Sequence, residues 1–219
     1  MGRETETEPT GARRSRPPLP MRLAGRAMTE AVARVPGAWR VLRGPMRRLF
    51  ENAAPTWDER VRPHHTEHLA ALADGVERLE GPAPRRILDV GTGTGAAALW
   101  LARRFEGAEV LGVDVAPEMI ERARAKATER VRFEVGDAAA VAGQGPFDLV
   151  VHLNCPVVFA DVAAALAEGG TVLVVAADGP RTPFYTSHGA LRRGFRRAGL
   201  KAIAEGRAGP GTWLAAGRS

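Results

Sequence analysis

Glycines and acidic residues in the middle of the chain have the types and spacing to bind a ligand that carries amino and hydroxyl groups. Asp89 lies in an apolar segment that leads directly into Gly91, Gly93 and Gly95. Glycine permits tight turns and lets a ligand lie against the backbone without interference from a Cβ atom. A helix that follows such a loop has unpaired N–H groups at its first turn, and these can donate to the ligand.

Two further acids follow later apolar segments. Asp114 lies 23 residues after Gly91, where a carboxylate can accept hydrogen bonds from a ribose diol. Asp137, within Gly136-Asp137-Ala138, can accept one from an adenine exocyclic amine. Open parallel sheets bind ligands outside the carboxyl ends of their strands, and all three acids would lie there. This order of residues therefore favours a nucleoside ligand.

The segments around these residues alternate between strand-like and helix-like patterns. Largely apolar strands separated by helices indicate a parallel sheet that is covered on both faces. The predicted strands span residues 86–90, 109–113, 131–135, 147–153 and 171–176, and the predicted helices span residues 95–105, 117–128, 157–166 and 187–198. Residues 201–205 and 212–216, joined by a glycine-rich turn, predict two closing strands.

The region before the first predicted strand has a different composition. Residues 1–20 contain almost nothing to bury, so we expect a disordered tail there. Residues 21–80 predict a helical arm or cap, broken at Pro36 and at Gly44-Pro45, with a further helix over residues 65–79. Residues 81–219 are then the ligand-binding domain.

The net charge of +6 comes entirely from residues 1–65, because the acidic and basic residues of 66–219 balance. A basic amphipathic helix in the arm would suit an anionic membrane or a cover for the site, but packing on its own domain with solvated arginines is favoured. A nucleic-acid partner is not favoured either. No apolar run approaches the roughly 18 residues that span a bilayer. With a single cysteine, Cys155, the composition predicts a cytoplasmic protein.

At these residues the chain resembles the class I methyltransferases that use S-adenosylmethionine (SAM). Asp89 and the three glycines are similar to the first motif of that family. The later motifs are similar to residues 113–120, 136–138, 147–151 and 166–173. The resemblance covers about residues 85–219.

The resemblance implies a SAM-dependent methyltransferase with a Rossmann-like α/β fold. The sheet would have seven mostly parallel strands with helices on both faces, and it would end in an antiparallel hairpin. The residues implied to bind SAM are Asp89, Gly91, Thr92, Gly93 and Gly95 at its methionyl end, Asp114 at the ribose, and Val115, Met119, Asp137 and Ala138 at the adenine.

The glycines also satisfy the dinucleotide pattern Gly-x-Gly-x-x-Gly/Ala through Gly91, Gly93 and Ala96. A nicotinamide cofactor is less favoured, because Asp89 stands where that pattern usually has an apolar residue and Gly95 is an additional glycine. The chain is also too short for a separate hydride-acceptor domain.

Methyl transfer from a sulfonium depends mainly on holding the acceptor in line, and it needs a general base only when the acceptor arrives protonated. Asn154 can position an acceptor through its amide. His152 is a candidate base, although a hydrogen-bonded core histidine is the simpler interpretation. Asn154-Cys155-Pro156-Val157 partly resembles the Asn-Pro-Pro-Tyr box of amino-group methyltransferases but lacks its aromatic residue, so that activity is not inferred.

The acceptor pocket is expected to include Trp57, whose surrounding stretch resembles a segment of methyltransferases for quinones and other lipophilic molecules. Phe184 and Tyr185 follow the fifth strand and would form the opposite wall. His64 and His68 supply only two metal ligands, so no metal is expected. The favoured function is methyl transfer to a small molecule. The alternatives are SAM binding without turnover and a nucleic-acid methyltransferase that uses the basic arm.

Overall fold

The computed structural model describes residues 19–35, 37–61 and 65–218, so nearly all of the predicted tail lies outside the described residues. The strands there are β1 (Arg86–Val90), β2 (Glu109–Asp114), β3 (Val131–Val135), β4 (Phe147–Leu153), β5 (Leu166–Ala176), β6 (Lys201–Ala208) and β7 (Gly211–Gly217). They form one sheet in the order β3-β2-β1-β4-β5-β7-β6. Strands β1 to β5 are parallel, while β7 is antiparallel to both β5 and β6. The predicted fold class is therefore confirmed.

In the part of the chain that the structure describes, four α-helices precede the sheet, and further helices connect its strands. The first group is α1 (Leu19–Arg34), α2 (Ala38–Ala53), α3 (Trp57–Val61) and α4 (His65–Glu77). The second group is α5 (Ala96–Arg104), α6 (Pro117–Arg124), α7 (Ala138–Val141), α8 (Phe159–Ala165) and α9 (His188–Arg197). Among the described residues, the helices are too short or too polar to span a bilayer.

Alternate residues of the central strands enter two separate apolar clusters. Ile87 faces the cluster under α4 and α5, whereas its neighbour Leu88 faces the cluster under α8 and α9. Leu149 and Val150 of β4 divide in the same way. Both faces of the sheet are therefore buried, as the continuous apolar strands predict. Because the core fixes the strands, their carboxyl ends form a rigid base for the site.

Helix α2 corrects one prediction, since it continues through Gly44-Pro45 instead of breaking there. Proline cannot donate to the carbonyl of Val41, four residues earlier. Pro45 and Val41 are both exposed, so water can reach this part of the helix. On the other face Met46 is only 2% exposed, and its packing holds the helix in place. Tertiary packing outweighs the local effect of the proline.

Smaller differences concern where the elements end. Strand β5 begins at Leu166, the last residue of the predicted helix over 157–166, and α6 ends at Arg124 instead of residue 128. Helix α7 has only four residues, so the chain passes from the third strand to the fourth with little intervening structure.

Candidate active site

A cavity of about 1420 Å³ lies at the carboxyl ends of the parallel strands, where the arm covers the sheet. Pockets for one small ligand typically measure roughly 300–1000 Å³, so this cavity has room for two. We call its lining residues from the ends of β1 to β4 the strand-end wall: Asp89, Gly91, Thr92, Gly93, Asp114, Val115, Asp137, Ala138, His152 and Asn154. We call its lining residues from α1 to α3 and from the turn at 179–184 the cap wall: Arg22, Trp39, Met46, Leu49, Phe50, Ala53, Trp57, Glu59, Arg60, Arg181, Thr182, Pro183 and Phe184.

The glycine loop of the strand-end wall depends on left-handed backbone. Gly91, Gly93 and Gly95 have φ values of 69°, 55° and 89°. A Cβ atom on Gly91 would lie 2.7 Å from Cβ and 2.9 Å from Sγ of Cys155. Glycine is thus required at position 91 both for its conformation and for the close approach of the next strand. The result is a section of bare backbone that faces the cavity.

Asp89 is a buried carboxylate, 1% exposed, at the base of this loop. Its Oδ2 accepts a 2.6 Å hydrogen bond from Thr92 Oγ1. Its Oδ1 is buried and has no hydrogen-bond partner among the described residues. Burial raises the pKa of Asp89 to about 7, and the neighbouring charge of Asp114 acts in the same direction. A cationic ligand in the cavity would lower this pKa and favour the ionised carboxylate.

Asp114 ties the end of β2 to the loops on either side of it. Its Oδ2 accepts from Gly93 N at 3.0 Å, and its Oδ1 accepts from Ala116 N at 2.9 Å. Burial raises the pKa of Asp114, while these backbone donors lower it. Each carboxylate oxygen has a further lone pair, so Asp114 can still accept from a ligand hydroxyl.

Asp137 is already bound by the arm. Its Oδ2 accepts a 2.8 Å hydrogen bond from Trp39 Nε1 and lies 4.0 Å from the Arg43 guanidinium. Its Oδ1 accepts from Ala140 N at the start of α7. Asp161, which also lines the cavity, has its pKa raised by burial and by the charge of Asp137. The outer end of the strand-end wall is therefore acidic and partly covered by α2.

Asn154 occupies a strained position just after β4. It is the one non-glycine residue with positive φ, at 55°, among the described residues. Its Oδ1 accepts from Ala177 N at 2.8 Å, which leaves the amide N–H groups available to the cavity that it lines. Such strain, roughly 1–3 kcal/mol, is often found at functional sites.

His152 and Cys155 lie on either side of Asn154 in the sequence. His152 is 1% exposed, and burial lowers its pKa to about 4. Its Nδ1 lies 3.3 Å from Cys155 Sγ, while its Nε2 has no partner among the described residues. Burial raises the pKa of Cys155, helped by the charges of Asp89 and Asp114, and the thiol donates to Val90 O at 3.0 Å. At neutral pH both side chains are uncharged.

An aromatic cluster and a polar link join the cap wall to the glycine loop. Phe50 contacts Trp57 and Phe184, with ring centroids 5.7 and 5.4 Å apart. Asp58, next to Trp57, accepts from Thr94 Oγ1 at 2.5 Å and from Lys126 Nζ at 2.9 Å. Although burial raises the pKa of Asp58, these two partners together hold it below its usual value.

Most residues predicted from the sequence to form the site line this cavity, and three do not. Gly95 lies outside the lining, since its Cβ position faces Phe133 at 2.6 Å. Met119 is fully buried and packs with Ala54 and Ala116 beneath the arm. The Tyr185 ring lies outside the lining as well, 5.2 Å from the Arg26 guanidinium. Within the described part of the chain, no cluster of three or more His, Cys, Asp or Glu residues could hold a metal.

Several lining residues were not identified from the sequence. Trp39 lies in the segment predicted as the arm, and its indole N–H donates to Asp137. Its helical spacing to Met46 and Phe50 was a usable signal, because all three line the cavity. Arg22, Arg181 and Asp161 gave no signal, since isolated charged residues in an arginine-rich chain do not stand out.

Comparison with known proteins places the glycine loop and the acids within a known type of domain. A family model described as a methyltransferase domain matches residues 87–175. Demethylmenaquinone methyltransferase of Thermus thermophilus is 49% identical over 90 residues, which cover 39% of this chain and 41% of that protein. Trans-aconitate 2-methyltransferase of Methylobacterium radiotolerans is 38% identical over 93 residues, covering 42% and 32%.

The fold extends beyond the region of sequence similarity. A TehB-like SAM-dependent methyltransferase from Corynebacterium glutamicum superposes with a TM-score of 0.59 at 20% identity, over 77% of this chain and 99% of that one. By contrast, the chain spans less than half the length of the two curated relatives above. The residues that the family model matches, 87–175, contain the strand-end wall but not the helices of the cap wall.

Proposed function

We propose that this protein transfers a methyl group from SAM to a small-molecule acceptor, since a family model of a methyltransferase domain matches residues 87–175. The supporting observation is that the carboxyl ends of β1, β2 and β3 bring Asp89, Asp114 and Asp137 onto one wall of a cavity with room for two ligands. The segment 81–219 would bind the cofactor, and the segment 21–80 would act as a cap.

The strand-end wall suits SAM in charge and in shape. The unpartnered, buried Oδ1 of Asp89 can accept from the ammonium of the methionyl end. The bare backbone at Gly91 and Gly93 gives a ligand space that a Cβ atom would fill. Asp114 would hold the ribose hydroxyls, and Asp137 would lie at the adenine edge. When bound, SAM supplies a methyl group on a sulfonium that is already activated for attack.

The residues near the proposed acceptor fit positioning better than acid–base catalysis. The Asn154 amide is oriented by its bond to Ala177 N, so its N–H groups can donate to an acceptor oxygen. His152, with a pKa near 4, is too weak a base to remove a proton from a phenol efficiently at neutral pH. We therefore assign Asn154 the role of a positioning residue and His152 a structural role.

The arginines of the arm do not favour a nucleic-acid acceptor. Arg47 Nε lies 2.8 Å from Glu51, and Arg43 lies near Asp137, so part of the charge is neutralised within the arm. A nucleic-acid methyltransferase would bind RNA or DNA with an affinity that falls steeply as salt rises. Measurable binding of that kind would favour this alternative over a small-molecule acceptor.

The proposal is tested first by calorimetric titration of the full chain with SAM, S-adenosylhomocysteine and NAD. We expect saturable binding of the two adenosyl ligands and none of NAD. Asp114→Ala should weaken the adenosyl ligands at least tenfold, because a charge-assisted contact contributes about 1.5–3 kcal/mol. Absence of adenosyl binding, or binding of NAD instead, would contradict the proposal.

Asp148→Ala is the matched control for this substitution. Asp148 also accepts from two backbone N–H groups, those of Arg85 and Arg86 at 2.8 and 2.9 Å, but it lies near the amino end of β4. It should lower stability without changing SAM affinity. If SAM binds but no acceptor in a broad screen with labelled methyl is modified, the alternative of a binding protein without turnover is favoured.

A further inference from the structure

Two arginines of the cap wall lie at the same side of the cavity, near the turn that follows β5. Arg22 is on α1 and Arg181 is on the turn at 179–184, and both line the cavity. Building on the proposed function, we propose that the acceptor is an organic anion, a carboxylate or phosphate, attached to a planar apolar body. Arg22 and Arg181 would bind the anion, and the aromatic cluster would contact the body.

Helix α1 is held directly against that turn. Arg26 Nη1 donates to Pro180 O at 2.8 Å, one helical turn after Arg22. Gly25 lies so close that a Cβ atom there would be 3.1 Å from Pro183 Cβ and 3.2 Å from Phe184 Cε1. Since Arg181 follows Pro180 directly, this packing brings the two arginines to one end of the cavity.

The two arginines are not paired with acids of the described residues. Elsewhere in the arm, Arg34 pairs with Glu30 and Arg47 with Glu51. Asp178 and Glu59 also line the cavity. Within residues 19–35, 37–61 and 65–218, however, no carboxylate forms an ion pair with Arg22 or Arg181. A guanidinium presents several donors in a planar fork that matches a carboxylate or phosphate. An anionic ligand group would satisfy these donors.

The aromatic cluster lies between the glycine loop and the arginines. The indole nitrogen of Trp57 is 3.8 Å from the position of a Cβ on Gly93, so this ring borders the loop. Phe50 contacts Trp57 on one side and Phe184 on the other. Phe184 in turn lies against Gly25 of α1, close to the arginines. Aromatic rings bind flat apolar groups by stacked or edge contacts.

The two walls differ in charge, because the strand-end wall has three acids and no arginine or lysine, whereas the cap wall has three arginines and one acid, Glu59. The acids at positions 89, 114, 137 and 161 line the strand-end side, whereas arginines at 22, 60 and 181 line the cap side. A cationic cofactor is attracted to the first side and an anionic acceptor to the second. Arg60 is held by the backbone carbonyls of Ala53 and Thr56, so the argument rests on Arg22 and Arg181.

The test compares three probes that share one ring system: 2-naphthoate, 2-naphthyl phosphate and the neutral 2-naphthamide. Each is titrated calorimetrically into the full chain with saturating S-adenosylhomocysteine and again without it. We expect at least one anion to bind tenfold or more tightly than the amide, as one charge-assisted contact implies. The ratio between naphthoate and naphthyl phosphate then identifies which anion the site prefers.

The double variant Arg22→Gln/Arg181→Gln should lose at least tenfold affinity for the preferred anion and keep its affinity for the amide. Arg103→Gln, an exposed arginine on α5 outside the cavity, should change neither. Equal affinity for anions and amide, or an unaltered double variant with an unchanged melting temperature, would overturn the inference. Failure of S-adenosylhomocysteine itself to bind would instead overturn the proposed function, so the two failures remain distinct.

Discussion

The two walls of the cavity are built in different ways. Asp89 lies in β1 and Asp114 ends β2, two strands whose central residues lie in the core, and these acids are 1% and 7% exposed. The cap wall is attached by the packing of the buried side chain of Met46 and by hydrogen bonds between distant parts of the chain, such as Trp39 with Asp137 and Asp58 with Thr94. Substitutions in the first wall therefore act on folding and binding together, whereas those in the second can change binding with little cost in stability.

This difference separates cofactor chemistry from acceptor choice. A wall fixed by seven hydrogen-bonded strands holds its polar groups within narrow limits, which suits a ligand of constant shape. A wall made of surface helices can alter its side chains while the sheet stays unchanged. The family model that matches residues 87–175 covers the strand-end wall and leaves out the helices of the cap wall, in agreement with this division.

The largest effect is expected from Asp89→Asn and depends on pH. The folded protein raises the pKa of Asp89 from 3.8 to about 7, so it binds the proton more tightly than the unfolded chain. The contribution of Asp89 to the free energy of unfolding is therefore lost as pH rises from about 4 to 7. The variant should become more stable than the natural protein by up to roughly 4 kcal/mol at pH 7 and above.

The measurement for Asp89→Asn is urea unfolding of both proteins from pH 4 to pH 8. The depressed pKa of His152 produces the opposite slope, but it does so in both proteins and cancels in the difference. The affinity of the natural protein for SAM should also rise over this range, and that of the variant should not. Parallel stability curves would show that Asp89 does not titrate in this way.

Gly91→Ala should lower the free energy of unfolding by about 2–4 kcal/mol, because alanine is strained in the left-handed conformation and its Cβ atom would overlap a neighbouring side chain. The overlap is with Cys155, 2.7 Å from the new Cβ. Because the shifted loop displaces the cofactor site, SAM affinity should fall at least tenfold. Gly169→Ala is the control, since Gly169 has a similar φ of 72° and open space around its Cβ position. Equal losses of stability in the two variants would show that the close approach of Cys155 adds nothing to the strain of a left-handed alanine.

Thr94→Val tests the polar link between the walls. It removes the donor to Asp58 Oδ1 while keeping the shape of the side chain. We expect the free energy of unfolding to fall by about 1–2 kcal/mol. This is typical of losing one hydrogen bond to a charged group, here Asp58, that keeps its other partner, Lys126. Hydrogen exchange at α3 should increase while exchange in β1 is unchanged. Faster exchange in both α3 and β1 would mean that loosening the cap wall also loosens the strand-end wall.

The smallest effect is expected from Trp39→Phe, which removes the hydrogen bond to Asp137. The site is half-exposed, so stability should fall by no more than about 1 kcal/mol. SAM affinity should stay within threefold or improve, since Asp137 Oδ2 becomes available to the ligand. Trp100→Phe, at a half-buried position on α5 outside the cavity, serves as the control. A tenfold loss of affinity specific to Trp39→Phe would identify Trp39 as a direct ligand contact.

The sheet was predictable because its signals are local. Three of the parallel strands, at 86–90, 131–135 and 147–153, have the bounds that their apolar runs predict. The acids of the strand-end wall lie within such runs or within two residues of their ends, so their convergence follows from parallel pairing alone. The assignments of these acids to parts of SAM remain predictions.

The cap wall was not predictable in this way, because its contacts join residues far apart in sequence. Trp39 lies 98 residues before Asp137, and Asp58 lies 36 residues before Thr94. Nothing in the local pattern specifies such pairs. The continuation of α2 through Pro45 has the same origin, since it depends on which face of the helix is buried.

The left-handed backbone at Asn154 also has an evolutionary consequence. Glycine would occupy that position without strain but would lose the hydrogen bond from Ala177 N to the Asn154 side chain, so fold stability alone gives no strong preference for asparagine. The asparagine is expected to persist only where its amide is needed. Among relatives of this chain, replacement by glycine should therefore accompany the loss or change of the acceptor, and it should do so even where the loop from Asp89 to Gly95 is unaltered.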